Sequence, residues 1–470
     1  MEKMVCPATA ANDSIKEEEF ECKELIIDIP LALEPPRWPE CCIYRVPKRL
    51  RGVKHMAYTP RLVSIGPFHH CMRKELKDME IQKLRYLRDF CCRTRKSIED
   101  LACIIERNEV RIRHSYSENF LLGSKEFVNM ILLDAIFILE LFWRKSKKSM
   151  AQKDYILSQP YMERGIRYDL LLLENQIPFF VLEDLYCGDQ QNEAGLQNGE
   201  LQQVLLTKRD ILLKLSCRFF RDLYHDEQPE PKIGEVKHFT DLVRCFFPPP
   251  NPGQKPKENK RNIKHLYTAT KLAEAGMKFR PTSGRSLLEI QFLKNECLES
   301  FPCLNLSWLL ACLPCLKSTC FTRMQRFLEI PPLRVDDKTE GLFRNLMALE
   351  QCHYPFETYI CDYIGLLDDL ITTKADVGLL ADKKIIVNEL GSNVAVTDLF
   401  NKLGHEIESN GIFYLDLSKE LDEYYENSWN RAVATLTSVY FQDFWRGTAT
   451  VVGIIFLGLT LWNFIRLLRK

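Results

Sequence analysis

The chain is 470 residues long, with 64 basic and 64 acidic side chains, so its formal net charge is zero. That balance excludes a general electrostatic attraction to nucleic acid or to an anionic lipid surface. Hydrophobic residues make up 46% and charged residues 27%, which excludes a chain that is disordered as a whole and leaves ample material for a large core.

Residues 1–36 are acidic and polar and are expected to form a disordered lead-in. They hold no apolar run of signal-peptide type, and Glu2 excludes N-myristoylation, which needs glycine there. The 18 cysteines are spread along the whole chain, with adjacent pairs at Cys41-Cys42 and Cys91-Cys92. Buried thiols in a reducing compartment fit this spread better than the dense framework of a small secreted domain.

Residues 37–445 are read as one helical body. Leu84, Leu87, Cys91, Thr94, Ile98, Leu101 and Ile105 recur at spacings of three and four, which predicts one stripe of an amphipathic helix. The turn-like run Ser64-Ile65-Gly66-Pro67 sets where that helix can begin. From Lys125 to Trp143 apolar residues cover every face, interrupted by Glu126, Asp134 and Glu140. Carboxylates in its interior argue against a membrane span and for the central core helix of a water-soluble body. Arg167 to Tyr186 carries two apolar runs around Glu174-Asn175-Gln176. Pro178 lacks an amide donor and disfavours helix at Ile177, so helix, break, helix is predicted.

Gly188 to Glu200 reads as a polar loop, and the Pro-rich stretch 248–262 as a linker. Downstream, helices are predicted over Leu266–Met277, Leu342–Cys352, Thr358–Thr372, Leu399–Glu408 and Ser428–Asp443, with a short strand at Ile385–Val387. No repeat of 20 to 50 residues is visible. Gly447 to Ile465 is nineteen residues without a charge, flanked by Arg446 and by a basic tail over 466–470. About 20 apolar residues span the hydrocarbon of a bilayer, so a single transmembrane helix is predicted. Trp445 and Trp462 stand near its ends, where indole rings favour the headgroup layer. The basic tail favours the cytosolic side, yet moving five residues across a membrane is far easier than moving the body, so the body is expected in the cytosol.

The common catalytic signatures are missing: no P-loop, dinucleotide fingerprint, nucleophile elbow, kinase set or H-E-x-x-H. His69-His70-Cys71 offers adjacent side chains that rarely converge on one ion, and is read as structural. Cys312-x-x-Cys315, with Cys303 and Cys320 nearby, is a weak metal or redox candidate, because no strand leads into it. Asp134 and Glu174 sit in apolar surroundings that raise a carboxyl pKa, which permits acid–base chemistry. The reading preferred here is that Asp134, Glu174, Asn175 and Gln176 form a structural polar network holding helices in register. Two sequons, at Asn12 and Asn305, matter only if the body is lumenal.

Several strings carry a resemblance: Val63-Ser64-Ile65-Gly66-Pro67-Phe68-His69-His70, the run from Leu132 to Phe142, Asp169 to Tyr186, Thr268 to Arg280, and Ile330 to Cys352. Over roughly residues 40–465 the chain resembles the plant family catalogued as Domain of Unknown Function 247. The resemblance implies a helical body with a C-terminal transmembrane helix and no assigned catalytic residues. Some grass relatives are associated with pollen self-incompatibility, which implies recognition between proteins by analogy only. Two departures stand out. Ala135 stands where relatives usually have glycine, and residues 293–326 look like an atypical Cys-rich insertion that contains both Cys312 and Cys315.

The expectation is therefore a mainly α-helical, membrane-anchored and non-catalytic protein. Its partners would be membrane lipid along Gly447–Ile465 and an unidentified protein, with no cofactor, no metal and no nucleic acid. Two alternatives stay open: a membrane-bound enzyme with an unfamiliar carboxylate site, and an extracellular recognition protein of reversed topology.

Overall fold

The computed structural model describes residues 38–70, 76–187, 198–223, 234–250, 266–293, 326–409, 412–440 and 444–468. After the short helix α1 (Lys48–Val53), the predicted amphipathic stripe appears as two helices, α2 (Lys77–Thr94) and α3 (Ile98–His114). The break follows from local chemistry. Arg95 caps α2 in the left-handed region at φ 59°, and the Ser97 side chain caps α3 by accepting from the Asp100 amide. The break also changes which face is buried: Leu84 and Ile98 point to solvent, while Met79, Lys83, Tyr86, Leu87 and Phe90 face inward.

The stretch predicted as central becomes α4 (Ser124–Ser146), and α2 and α3 both pack on it. Phe127, Ile131, Ala135, Ile136, Phe137 and Ile138 on it are fully buried, as an all-round apolar helix requires. Ala135 keeps the small volume that so crowded a position needs. The short α5 (Lys148–Ala151) and α6 (Pro160–Asp169) follow. The chain then breaks over residues 170–178, as Pro178 predicts, and α7 (Phe179–Cys187) begins. α8 (Asn198–Phe220) and α7 complete the shell around α4, with the short α9 (Phe239–Arg244) packed against α8. The polar stretch Gly188–Glu200 is helical from Asn198 onward, and its earlier residues lie outside the described set.

Most of the Pro-rich stretch 248–262 also lies outside the described residues. The core nonetheless runs through both flanks: Phe142 and Phe239 upstream belong to the same buried apolar cluster as Leu346 and Ile364 downstream. Where a helix was predicted over Leu266–Met277, α10 (Ala269–Glu274) is shorter and gives way to β1 (Lys278–Pro281). β3 (Phe327–Ile330) pairs parallel with β1 and antiparallel with β2 (Gln291–Leu293). β4 (Leu333–Val335) pairs parallel with β5 (Ile386–Asn388), which confirms the strand expected at Ile385–Val387. The remaining helices are α11 (Thr339–His353), α12 (Tyr359–Leu370), α13 (Lys374–Asp382), α14 (Asn393–Leu403), α15 (Leu415–Glu426), α16 (Ser428–Tyr440) and α17 (Phe444–Leu468). The architecture is mainly α-helical, as the apolar periodicity predicts.

Two features bear on the unusual segments. Leu293 pairs directly with Phe327, so residues 294–326 enter and leave at neighbouring positions of one antiparallel pair. A two-residue turn is enough to join such strands. Replacing 294–326 by Asn-Gly is therefore expected to leave the far-ultraviolet circular dichroism per residue and the thermal midpoint within a few degrees of the parent. A cooperative transition lost on deletion would show that the sheet depends on the segment. Cys312 and Cys315 fall in this segment and lie outside the described residues.

α17 is the second feature. Its Thr448–Leu468 stretch has a mean hydropathy of 2.0 and none of it is buried against the rest of the protein. By length and composition it is able to cross a membrane.

Candidate functional site

The break between α6 and α7 creates the site. Where the helix stops, the carbonyls lose the regular helical ladder: Asp169 O and Leu172 O keep only turn bonds, from the Leu172 amide at 3.3 Å and the Asn175 amide at 2.9 Å, and Leu170 O needs a donor. The polar triplet supplies it and adds to the turn bonds. Gln176 Nε2 donates to Leu170 O at 2.6 Å and Leu172 O at 2.8 Å, and its Oε1 accepts from the Phe239 amide at 2.9 Å. That amide opens α9 and is one of its orphan donors. Asn175 Nδ2 donates to Val63 O at 3.0 Å and Asp169 O at 2.8 Å, while its Oδ1 accepts from the Ile65 amide at 2.7 Å. Both amide side chains are essentially without solvent exposure.

Glu174 reaches the opposite strand of chain. Its carboxylate accepts from the Val46 amide at 2.8 Å and from Arg45 Nη1 at 3.3 Å. Arg51 Nη2 stands 2.5 Å from it and His69 Nε2 3.2 Å. Burial works to raise its pKa, but His69, Arg51 and the Val46 amide outweigh burial and hold it below the usual carboxylate range. The sequence-based expectation of a raised pKa is therefore wrong for Glu174. The apolar neighbours in sequence are not its neighbours in space.

Asp134 on α4 bonds the same looping segment one step further on. Its Oδ2 accepts from the Gly66 amide at 2.8 Å, and its Oδ1 accepts from Lys83 Nζ at 2.6 Å. Lys83 is 1% exposed and fills all three of its donor positions, with Ser64 O and Glu80 Oε1 also at 2.6 Å. Burial pushes Asp134 above its usual range, and the Lys83 ammonium pulls the other way. Gly66 has φ 71°, and a Cβ there would lie 2.4 Å from Gln176 O, so only glycine fits this close approach. Tyr116 seals the contact by donating to Gln176 O at 3.0 Å.

Asp169, at the end of α6, completes the seam. It accepts from three consecutive amides, Arg61, Leu62 and Val63, at 2.6 to 3.1 Å. Burial raises its pKa to about 6 from 3.8 despite those bonds. A raised acid pKa means the folded state binds the proton more tightly than the unfolded chain. The contribution from protonated Asp169 is complete below pH 3.8 and disappears as pH rises to about 6. The full span is worth about 3 kcal/mol at 1.36 kcal/mol per unit. Urea midpoints at pH 4.5 and 6.5 should thus fall more with rising pH in the parent than in Asp169→Asn. Equal slopes would contradict this.

A second polar cluster ties the two halves of the core. Glu350 on α11 accepts from the Ile360 amide at 3.1 Å and the Cys361 amide at 2.9 Å, at the start of α12. Arg244 on α9 donates to it at 3.2 Å and lies between the rings of Tyr354 and Tyr359 at 4.0 and 4.2 Å. His238 caps α9, with Nδ1 accepting from the Asp241 amide and Nε2 facing Cys42 O at 3.0 Å. Burial lowers its pKa to about 4, so the neutral ring donates through Nε2.

The structure brings Glu174, Asn175 and Gln176 together, and joins Asp134 to them through residues 63–66. It brings His69, but not Asp134, to Glu174. A cavity of about 670 Å³ opens beside Asp134 and is lined also by His70, Glu80, Glu126 and Asn129. Glu174 and His69 take no part in its wall. Among the described residues no group of His, Cys, Asp and Glu is arranged to hold a metal ion. Lys83, Asp169, Glu350 and Arg244 were not foreseen. Lys83 sat on what the stripe marked as a polar face, next to Leu84, and the structure reverses the two: Leu84 is exposed and Lys83 is buried.

The family model for plant proteins of unknown function, DUF247, matches residues 43–459. UPF0481 protein At3g47200 of Arabidopsis thaliana is 28% identical over 465 residues, covering 92% of this chain and 87% of the relative. A second Arabidopsis thaliana protein of that designation, At3g02645, is 23% identical over 483 residues, covering 88% of each chain. No solved structure matches. The match takes in the whole polar seam, from Arg45 to Gln176, and the Glu350 cluster; the chain belongs to the DUF247 family of plant proteins.

Proposed function

We propose that the protein is a membrane-anchored, non-catalytic component of plant cells, whose helical body serves recognition between proteins. The observation that carries the reading is how fully the candidate acid–base groups are used in holding the backbone. Glu174, Asn175 and Gln176 each bond main chain of a different segment, and Asp134 is tied to Lys83 and Gly66. A general base needs a lone pair free for substrate. The bare apolar surface of α17 supports the anchor, and buried thiols such as Cys361 suit a body in the cytosol.

The second reading is an enzyme using Asp134, and the cavity beside that residue is what favours it. Full-length protein in nanodiscs, incubated with pooled plant metabolites and followed by mass spectrometry, separates the two. The proposal expects no turnover that is lost in Asp134→Asn while the fold is kept. Such a turnover would replace it with the enzyme.

A further inference from the structure

The helix that leads into α17 is seated on the body. Gly276, between α10 and β1, adopts φ 93°. A Cβ there would lie 3.3 Å from Ala434 Cβ on α16 and 3.3 Å from the Tyr424 hydroxyl. The absence of a side chain lets α16 approach the turn this closely. Tyr424 donates to Ala275 O at 2.9 Å, which fixes α15 to the same turn. Tyr267 and Tyr425 stack at 3.7 Å and 26°. Asn430 on α16 donates to Tyr424 O at 2.9 Å, and Arg431 lies 5.7 Å over the Tyr425 ring. α16 is thus gripped over its first two turns.

The chain length from that grip to the spanning helix is short. From Ala434 to Tyr440 the chain is helical, a rise of about 9 Å at 1.5 Å per residue. From Tyr440 to Phe444 four residue steps reach at most about 14 Å. Ala434 therefore lies within about 23 Å of the start of α17, and the Gly276 turn in contact with it within about 30 Å. A globular body of this size is about 55 Å across, from the scaling of radius of gyration with length. The grip and the reach together leave one end of the body beside the bilayer.

We propose that the end of the body built by the Gly276 turn, α10, β1 and the α15–α16 corner faces the lipid headgroup layer in a fixed pose. This deepens the membrane-anchored reading and rests on it. The exposed charges of this end include both signs, with Lys271, Lys278 and Arg280 against Glu274 and Glu423. The pose is therefore set by the docked helix and not by attraction to anionic lipid.

The test uses the full chain in vesicles, with a fluorescent amino acid at the exposed Glu274 position and an acceptor on the headgroups. The expected result is a single narrow distance population, within about 30 Å of the headgroup plane, unchanged between neutral and anionic vesicles. Ala434→Arg, on the half-buried face of α16, should broaden that population and move its mean outward by more than about 10 Å. Tyr425→Ala, which removes the stack on Tyr267 and the ring under Arg431, should broaden it without unfolding the body. A broad distribution in the parent, or no change in either variant, overturns the proposal. Protein that fails to float with the vesicles overturns the anchored reading itself, which separates the two failures.

Discussion

Asn175→Asp is expected to bring the body close to unfolding, although the two side chains have nearly the same shape. The substitution keeps the acceptor for the Ile65 amide and removes both donors. Val63 O and Asp169 O, at 3.0 and 2.8 Å, then face a carboxylate oxygen in place of an N–H. Val63 O is left unpaired, at a cost of about 1–3 kcal/mol, while Asp169 O keeps the Leu172 amide at 3.3 Å. A buried unpaired charge adds several more, or forces the new carboxyl to stay protonated at neutral pH. The sum, about 5 kcal/mol or more, is comparable with the whole stability of an ordinary domain. Urea denaturation followed by tryptophan fluorescence measures it. A loss under about 1 kcal/mol would mean that the seam does not hold the fold.

Lys83→Met tests the other end of the seam. The methionine chain fits the apolar path of the lysine but leaves Asp134 without its cation. Breaking a buried ion pair on one side typically costs about 3–5 kcal/mol. Neutralising the partner in Lys83→Met/Asp134→Asn should recover part of that loss, since the orphaned charge is gone. The expected coupling in the double-mutant cycle is about 2 kcal/mol or more, against about 0.5 kcal/mol for independent sites. Additive losses would show that the two side chains do not stabilise each other. They would also return Asp134 to the list of groups available for chemistry.

The seam was partly legible beforehand. A polar triplet between apolar runs, closed by a proline, marks a helix break whose freed carbonyls need donors, and the Glu174-Asn175-Gln176 side chains provide them. What the pattern did not carry was the identity of the partners. Val46, Val63 and Ile65 contribute backbone atoms, and any residue type supplies those. The direction of the Glu174 shift failed for a related reason: Arg51 and His69 are more than a hundred positions away along the chain. The α2–α3 break was hidden because Arg95 and Ser97 interrupt the helix without disturbing its three-four spacing. The β1–β3–β2 sheet was missed because its strands are three or four residues long and one pair is split by residues 294–326. α4, by contrast, was plain from its all-round apolarity.

The central claim is that α17 holds this helical body to a membrane. Alkaline carbonate extraction of the intact protein from plant membranes tests it most directly, beside a variant lacking 444–468. The account predicts that the intact chain stays in the pellet and that the shortened chain appears in the supernatant as a folded, cooperatively melting body. Release of the intact chain by carbonate would contradict it.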